Sequence, residues 1–466
     1  MSKLISKEEI MASGSIGTDL TKGNVRNQLL KFSVPFMLAS LLQTIYGTVD
    51  AVVVGHFVGA DGLSAVSTCG ELTMLFTFVA VGFGGAGQTL IGQYIGANKK
   101  EELNKTIGTL FTMFLIIAVI LSIFSIFMVD VFLDLLNVPE EAFADAHSYF
   151  LVCSYGFIFI FGYNLISSIL RGMGDSKRPL IFIAIASAMN LILDLLFVAV
   201  LGMGTAGAAL ATILGQGFSF LCSMIYLYRH KEVFGFDFKL KSFIPEKSKV
   251  LTLLKLGTPM TAQGVLISIT MLFVISLVND YGVAASAANG IGMKLQNITR
   301  IVTTSMSTAG AAMIAQNVGA KRFDRAFSVY KWAMVITVAF GVLVSVISLL
   351  FPKLIFSMFS TDEEVLAYAS TYMIFFVIDS MGGAFRSPCN AMVNGTGAAM
   401  LGLTASVFDG ILARIGLSLL FGNLIGMGVS GYWLGGALAG YVSVFILLPY
   451  CLSGRWKKKD LIKAGR

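Results

Sequence analysis

Long apolar stretches alternate with short polar ones along the whole chain. Runs of at least about 18 apolar residues are long enough to cross a bilayer as helices. They predict spans over 33–58, 68–97, 106–129, 147–171, 179–201 and 206–228, then over 251–279, 286–319, 327–351, 366–393, 398–421 and 428–452. The expected fold class is therefore all-α and integral to the membrane, with twelve transmembrane helices.

The polar interruptions alternate in charge. Basic residues gather at Lys99, Lys100 and Lys105, at Arg171, Lys177 and Arg178, along 229–250, at Lys321, Arg322 and Arg325, and in the tail. The intervening loops hold Asp61, Asp130, Asp134, Glu140, Glu141, Asp145, Asp280, Asp362, Glu363 and Glu364, with Lys353 as their one clear basic residue. Every second loop thus falls on the positive side, which is the cytoplasmic one. Both termini are expected in the cytoplasm, with the chain multi-pass in the inner or plasma membrane of the cell. Residues 1–31 are polar and precede no apolar run before Phe32, so the first span is expected to insert without cleavage.

Composition narrows the classes that remain. The chain is 56% hydrophobic and only 13% charged, about half the charge of a soluble domain. A net charge of +7 is accounted for by the cytoplasmic loops, so no nucleic-acid partner is expected; the bilayer is the partner. The cysteines Cys69, Cys153, Cys222, Cys389 and Cys451 are isolated, without metal or disulfide spacing. No nucleotide loop, metal motif or nucleophile–base pair is present, so neither an enzyme nor a cofactor is expected.

The chain repeats itself at a shift of about 223 residues. Lys31-Phe-Ser-Val-Pro35 answers Lys255-Leu-Gly-Thr-Pro259, and Ile91-Gly-Gln93-Tyr-Ile-Gly96-Ala97 answers Ile314-Ala-Gln316-Asn-Val-Gly319-Ala320. Arg171-Gly-Met-Gly174 answers Asn394-Gly-Thr-Gly397, and Gly202-Met-Gly204 answers Gly426-Met-Gly428. Six spans per half make the repeat parallel, with an axis along the membrane normal. The expected organisation is a cytoplasmic segment 1–31, an N-lobe 32–228 (helices 1–6), a connector 229–250, a C-lobe 251–452 (helices 7–12) and a basic tail 453–466. Substrate is expected near the midplane, where the halves meet. An ion channel is disfavoured because no selectivity loop stands out.

An ionisable group inside a span needs a partner or a function. Asp50 lies in the first span and Asp194 in the fifth, with Asn190 one turn away on the same face as Asp194. Gln43, Tyr46 and Asp50 form a stripe along the first span. Such oxygens suit a dehydrated Na⁺, or proton exchange, since a desolvated carboxylate binds its proton more tightly; packing by interhelical hydrogen bonds is the third reading. The second half carries Lys294, Arg300, Asp379, Arg386, Asp409 and Arg414, with Arg414 at the position answering Asn190. Asp379 and Arg386, two turns apart, are candidates for a substrate cavity together with Gln43 and Tyr46. Their alternative role is in buried ion pairs that fix packing. Pro35 and Pro259 each remove a backbone hydrogen bond near a span's start, and Pro35 is the expected hinge.

Taken together and in order, several segments resemble the multidrug and toxic compound extrusion (MATE) transporters. They are Pro35 through Gln43 with Tyr46, Val49-Asp50 and Gly55; Gly92-Gln93-Tyr-Ile-Gly96-Ala97; Leu170-Arg171-Gly-Met-Gly174-Asp175; Asn190-Leu-Ile-Leu-Asp194; and Gly207-Ala-Ala-Leu-Ala-Thr212. The resemblance spans about residues 25–452. It implies two six-helix lobes in a V, working by alternating access, and export of amphiphilic, often cationic, small molecules in exchange for inward H⁺ or Na⁺. The residues matching one branch's cation site are Asp50, Asn190, Asp194 and Thr212, the set expected to hold any Na⁺, with Tyr149 as a fifth member. A second branch uses a Glu in span seven; Thr258–Asn279 here has none, which favours the N-lobe site. A lipid or lipid-linked sugar flippase of the same two-lobe architecture is the alternative function. The chain is expected to act as a monomer.

The orientation is checked by labelling single cysteines in a Cys-free background. Lys100→Cys and Arg178→Cys should react only with membrane-permeant reagents, and Glu140→Cys should react from outside. External labelling at position 100 would invert the topology.

Overall fold

A computed structural model describes residues 18–459 and 461–464. Residues 1–17 of the expected N-terminal segment lie outside the described residues, as do Asp460, Gly465 and Arg466 of the basic tail. Among the described residues, all regular structure is helical. Six long helices make up the first half: α1 (Val25–Phe57), α2 (Ala60–Gly96), α3 (Lys100–Phe127), α4 (Glu140–Tyr155 and Phe157–Gly172), α5 (Lys177–Asp194, extended by the π-helical turn Leu195–Val200) and α6 (Gly204–Arg229). The second half repeats them as α7 (Lys247–Asn279), α8 (Val283–Gly319), α9 (Phe323–Leu350), α10 (Ala369–Gly395), α11 (Ala399–Val407, continuing as helix with two π-helical stretches to Leu424) and α12 (Val429–Leu452). The expected twelve-helix, two-lobe arrangement is what the chain adopts.

Lipid exposure explains the apolar surface. On α3, Leu115, Ile116, Val119, Ile120, Ile123, Phe124 and Phe127 are all exposed, and their spacing is one helical stripe. A soluble protein avoids so large an apolar patch; a bilayer requires it. Among the described residues, nine helices are individually long and apolar enough to span, or ten when the bent α4 counts as one. The two that fall short are α8 and α10. They carry Lys294, Arg300, Asp379 and Arg386, and α10 packs against α8, α9 and α12 rather than facing lipid.

The repeated glycines have a local cause. Gly174 and Gly397 end α4 and α10 with φ of +83° and +75°, a left-handed geometry that a Cβ disfavours. In the first repeat the next residue, Asp175, is buried and accepts from the backbone N–H groups of Lys177 and Arg178 at 3.1 and 3.2 Å while pairing with the Arg178 guanidinium. Burial holds this carboxyl above its ordinary pKa although Arg178 pulls the other way. The 49° bend of α4 falls at Gly156, where a Cβ would lie 2.1 Å from Ile213 of α6.

The chain divides into two compact units. Unit 1 contains Val34–Gly257, and unit 2 contains Leu20–Ser33 with Thr258–Leu461. The division therefore falls inside α1 and inside α7, one residue before Pro35 and one residue before Pro259. In unit 2 the chain entering α1, residues 20–23, is held by repeat positions on α8 and α9. Asn317 Nδ2 donates to the Leu20 carbonyl at 3.1 Å, and Arg325 donates to the carbonyls of Gly23 and Lys22, both at 2.6 Å. In unit 1 the first turns of α7 are held at the equivalent positions Tyr94 and Glu102. The fully buried Lys249 ammonium donates to the Tyr94 hydroxyl at 2.8 Å and to the Glu102 carboxylate. The same two positions of the repeat anchor the entering helix in both units, with opposite chemistry. The segment 229–250 is likewise packed, its Phe236 ring stacking on Phe111 of α3.

Removing one partner of a buried ion pair strands the other. Lys249→Ala and Glu102→Gln should each lower the thermal midpoint of the purified protein. The double variant should lose less than the sum, with a coupling of about 0.5–3 kcal/mol in a double-mutant cycle. Strict additivity would mean that the pair contributes nothing.

Candidate functional site

In unit 1 the polar side chains inside the spans come together from four helices. Asp50 of α1 is 8% exposed, and Asp194, the last α-helical residue of α5, is fully buried. Their carboxyls are neighbours, close enough to share a proton when one of them carries it. Oδ1 of Asp50 and both carboxylate oxygens of Asp194 have no hydrogen-bond partner among the described residues. Burying such oxygens without a donor is expensive. A π-helical turn begins directly after Asp194, and such turns recur at functional sites.

Asn190 lies one turn before Asp194 and donates from Nδ2 to Thr212 Oγ1 of α6 at 3.3 Å. That bond leaves the amide oxygen available as an acceptor. The two helices approach closely here because Gly215 has no side chain; a Cβ would lie 2.9 Å from the Ala186 carbonyl. Tyr149 of α4 is buried and within electrostatic reach of Asp50 and Cys153. Asp50, Asp194 and Tyr149 thus share one neighbourhood, and Asn190 and Thr212 adjoin Asp194 through α5. Every donor is a hard oxygen, the kind that suits H⁺ or an alkali cation rather than a transition metal. Among the described residues no group of three or more His, Cys, Asp or Glu forms a metal centre.

Of the stripe on α1, Tyr46 is half-buried and interacts with Asp50, Asp194, Tyr163 and Gln216. Gln43 is exposed and stands outside this buried cluster. Gln216 and Tyr163 are members that the sequence reading did not single out. Gln216 was findable: it lies one turn after Thr212, repeating on α6 the spacing of Asn190 and Asp194 on α5.

Unit 2 differs. Asp409 of α11 is fully buried and accepts from Arg386 Nη1 at 2.9 Å, Arg414 Nη2 at 3.2 Å and Ser443 Oγ at 2.9 Å. Arg386 therefore pairs with Asp409, and not with Asp379 on its own helix. Asp379 instead lines a cavity of about 60 Å³ together with Arg414.

The MatE family model matches the chain twice, over residues 35–196 and 259–420, and each match begins on a repeat proline. The probable multidrug resistance protein YpnP of Bacillus subtilis is 29% identical over 445 residues, covering 95% of this chain and 98% of that one. Two crystal structures, described as MATE in the bent and in the straight conformation, superpose with a TM-score of 0.87 at 23% identity. They cover 97% and 96% of this chain, and 99% of theirs.

Two unpartnered carboxyls side by side cost stability, as functional sites often do. Asp194→Asn should therefore raise the thermal midpoint, by about 2–4 °C for each kcal/mol of repulsion relieved. A lowered midpoint would instead identify Asp194 as a structural hydrogen-bonding residue.

Proposed function

The chain belongs to the MatE family of membrane transporters, and from that premise we propose that it exports amphiphilic, often cationic, organic compounds in exchange for inward H⁺ or Na⁺. It is a transporter and not an enzyme. The observation that carries the coupling reading is the pair Asp50 and Asp194, buried in unit 1 with carboxylate oxygens that no donor satisfies. Asn190, Thr212 and Tyr149 complete the oxygen set in this reading. The curated relative of B. subtilis is described as a probable multidrug resistance protein, which supports organic compounds as the cargo. The chain then works as a monomer in the cell membrane with both termini in the cytoplasm.

Two carboxyls matter energetically. Exchanging one monovalent ion for one organic cation moves no net charge, so a tenfold ion gradient supplies about 1.4 kcal/mol. A second inward ion adds a net charge, worth roughly 2.3 kcal/mol per 100 mV. Pro35 lies about four turns before Asp50, just past the point where α1 passes from one compact unit to the other. It is the position at which loading of the Asp50 region bends the helix, giving alternating access. Solved MATE structures described as bent and straight support two states of the fold.

Proteoliposomes loaded with the fluorescent cation ethidium test this reading under a pH gradient and, separately, a Na⁺ gradient. Asp50→Asn and Asp194→Asn should each reduce gradient-driven transport to the level of empty vesicles while protein yield and monodispersity stay near wild type. Pro35→Ala should slow it much more than Pro259→Ala. Normal transport by both Asp variants would move the coupling site to Asp379, and transport driven by neither gradient would overturn ion coupling.

A further inference from the structure

Unit 2 concentrates the cationic charge that the pair site of unit 1 lacks. Five ionisable side chains neighbour one another there: Arg300 of α8, Asp379 and Arg386 of α10, and Asp409 and Arg414 of α11. Asp409 is saturated by its two guanidinium partners and Ser443. Asp379 interacts electrostatically with Arg414, Arg386 and Arg300 but makes no hydrogen bond. Three guanidiniums, which stay protonated in proteins, thus face two carboxylates. The excess belongs to Arg300, which is exposed, while Arg386 and Arg414 share the one carboxylate of Asp409.

Arg414, sharing Asp409 with Arg386, lines a cavity. Arg414 is only 9% exposed; its Nη2 donates to Asp409 and its Nε has no partner. Arg414 and Asp379 line the cavity of about 60 Å³ with Asn289, Gln296, Tyr372 and Trp433. Asn289 uses its oxygen to accept from Trp433 Nε1 at 3.2 Å, and its Nδ2 meets only the Met293 sulfur at 3.8 Å. The Tyr372 phenol fills the space left by Gly292, where a Cβ would lie 2.0 Å from its oxygen. The walls therefore offer N–H and O–H donors and a guanidinium, against the single carboxylate of Asp379. The volume holds a head group of a few heavy atoms. The repeat sharpens the contrast: Arg414 stands where unit 1 has the neutral Asn190.

We propose that this cavity of unit 2 is an anion subsite that takes the carboxylate or sulfonate head of an amphiphilic organic acid, zwitterions included, through Arg414. Its place in transport rests on the exporter reading above, whereas binding itself needs no gradient. The test is isothermal titration calorimetry on the full chain in nanodiscs, with two probes of one ring and opposite charge, 4-nitrobenzenesulfonate and 4-nitrobenzylammonium. The sulfonate should bind more tightly than the ammonium. Arg414→Gln should weaken it about tenfold or more, as loss of a charge-assisted hydrogen bond does. Asp379→Asn has no hydrogen bond to lose, so it keeps the fold, and it should tighten sulfonate binding several-fold by removing the one anion from the cavity wall. The inference is overturned if the ammonium binds more tightly, or if Asp379→Asn leaves sulfonate affinity unchanged or lowers it. Sulfonate binding without ion-driven transport would overturn the exporter reading alone. Ethidium export without sulfonate binding would overturn this one alone.

Discussion

Hydrocarbon offers neither water nor counter-ions, and this constraint governs the molecule at every level. It makes all regular structure helical among the described residues, because only internal hydrogen bonding satisfies the backbone of a helix in lipid. It turns the outer stripes of helices such as α3 apolar. It also makes each buried charge informative, since an ionisable side chain survives in a span only when something offsets its desolvation. In unit 1 the offset is missing at Asp50 and Asp194. In unit 2 it is present for Asp409 and incomplete for Arg414.

The two halves share one backbone plan and fill it differently. Gly174 and Gly397 end equivalent helices in the same left-handed geometry, because that turn is a requirement of the chain path and not of any chemistry. The anchors of α1 and α7 keep their positions but not their residues: Asn317 and Arg325 hold backbone carbonyls, whereas Tyr94 and Glu102 hold a buried ammonium. Position 190 and its counterpart 414 diverge furthest, from a neutral amide bonded to Thr212 to a guanidinium beside Asp409. The two halves share the geometry and differ in their electrostatics.

The helical class, the number of spans and the repeat can all be read along the chain. Each follows from properties local to a helix: apolar length, charge at its ends, and glycine where φ must be positive. The sequence also marked Asp50, Asn190 and Asp194, because a charge or amide in an apolar run stands out without knowledge of its neighbours. α8 and α10 show where this reasoning weakens, since a helix enclosed by others need not be apolar enough to pass as a span. The partners of these groups emerge only once the helices are packed. Arg386 pairs with Asp409 across 23 residues, Gln216 and Tyr163 join the Asp50 neighbourhood, and Gln43 does not. Pairing depends on which helix faces turn toward each other, and that is set by packing among many side chains at once rather than by spacing along any one helix.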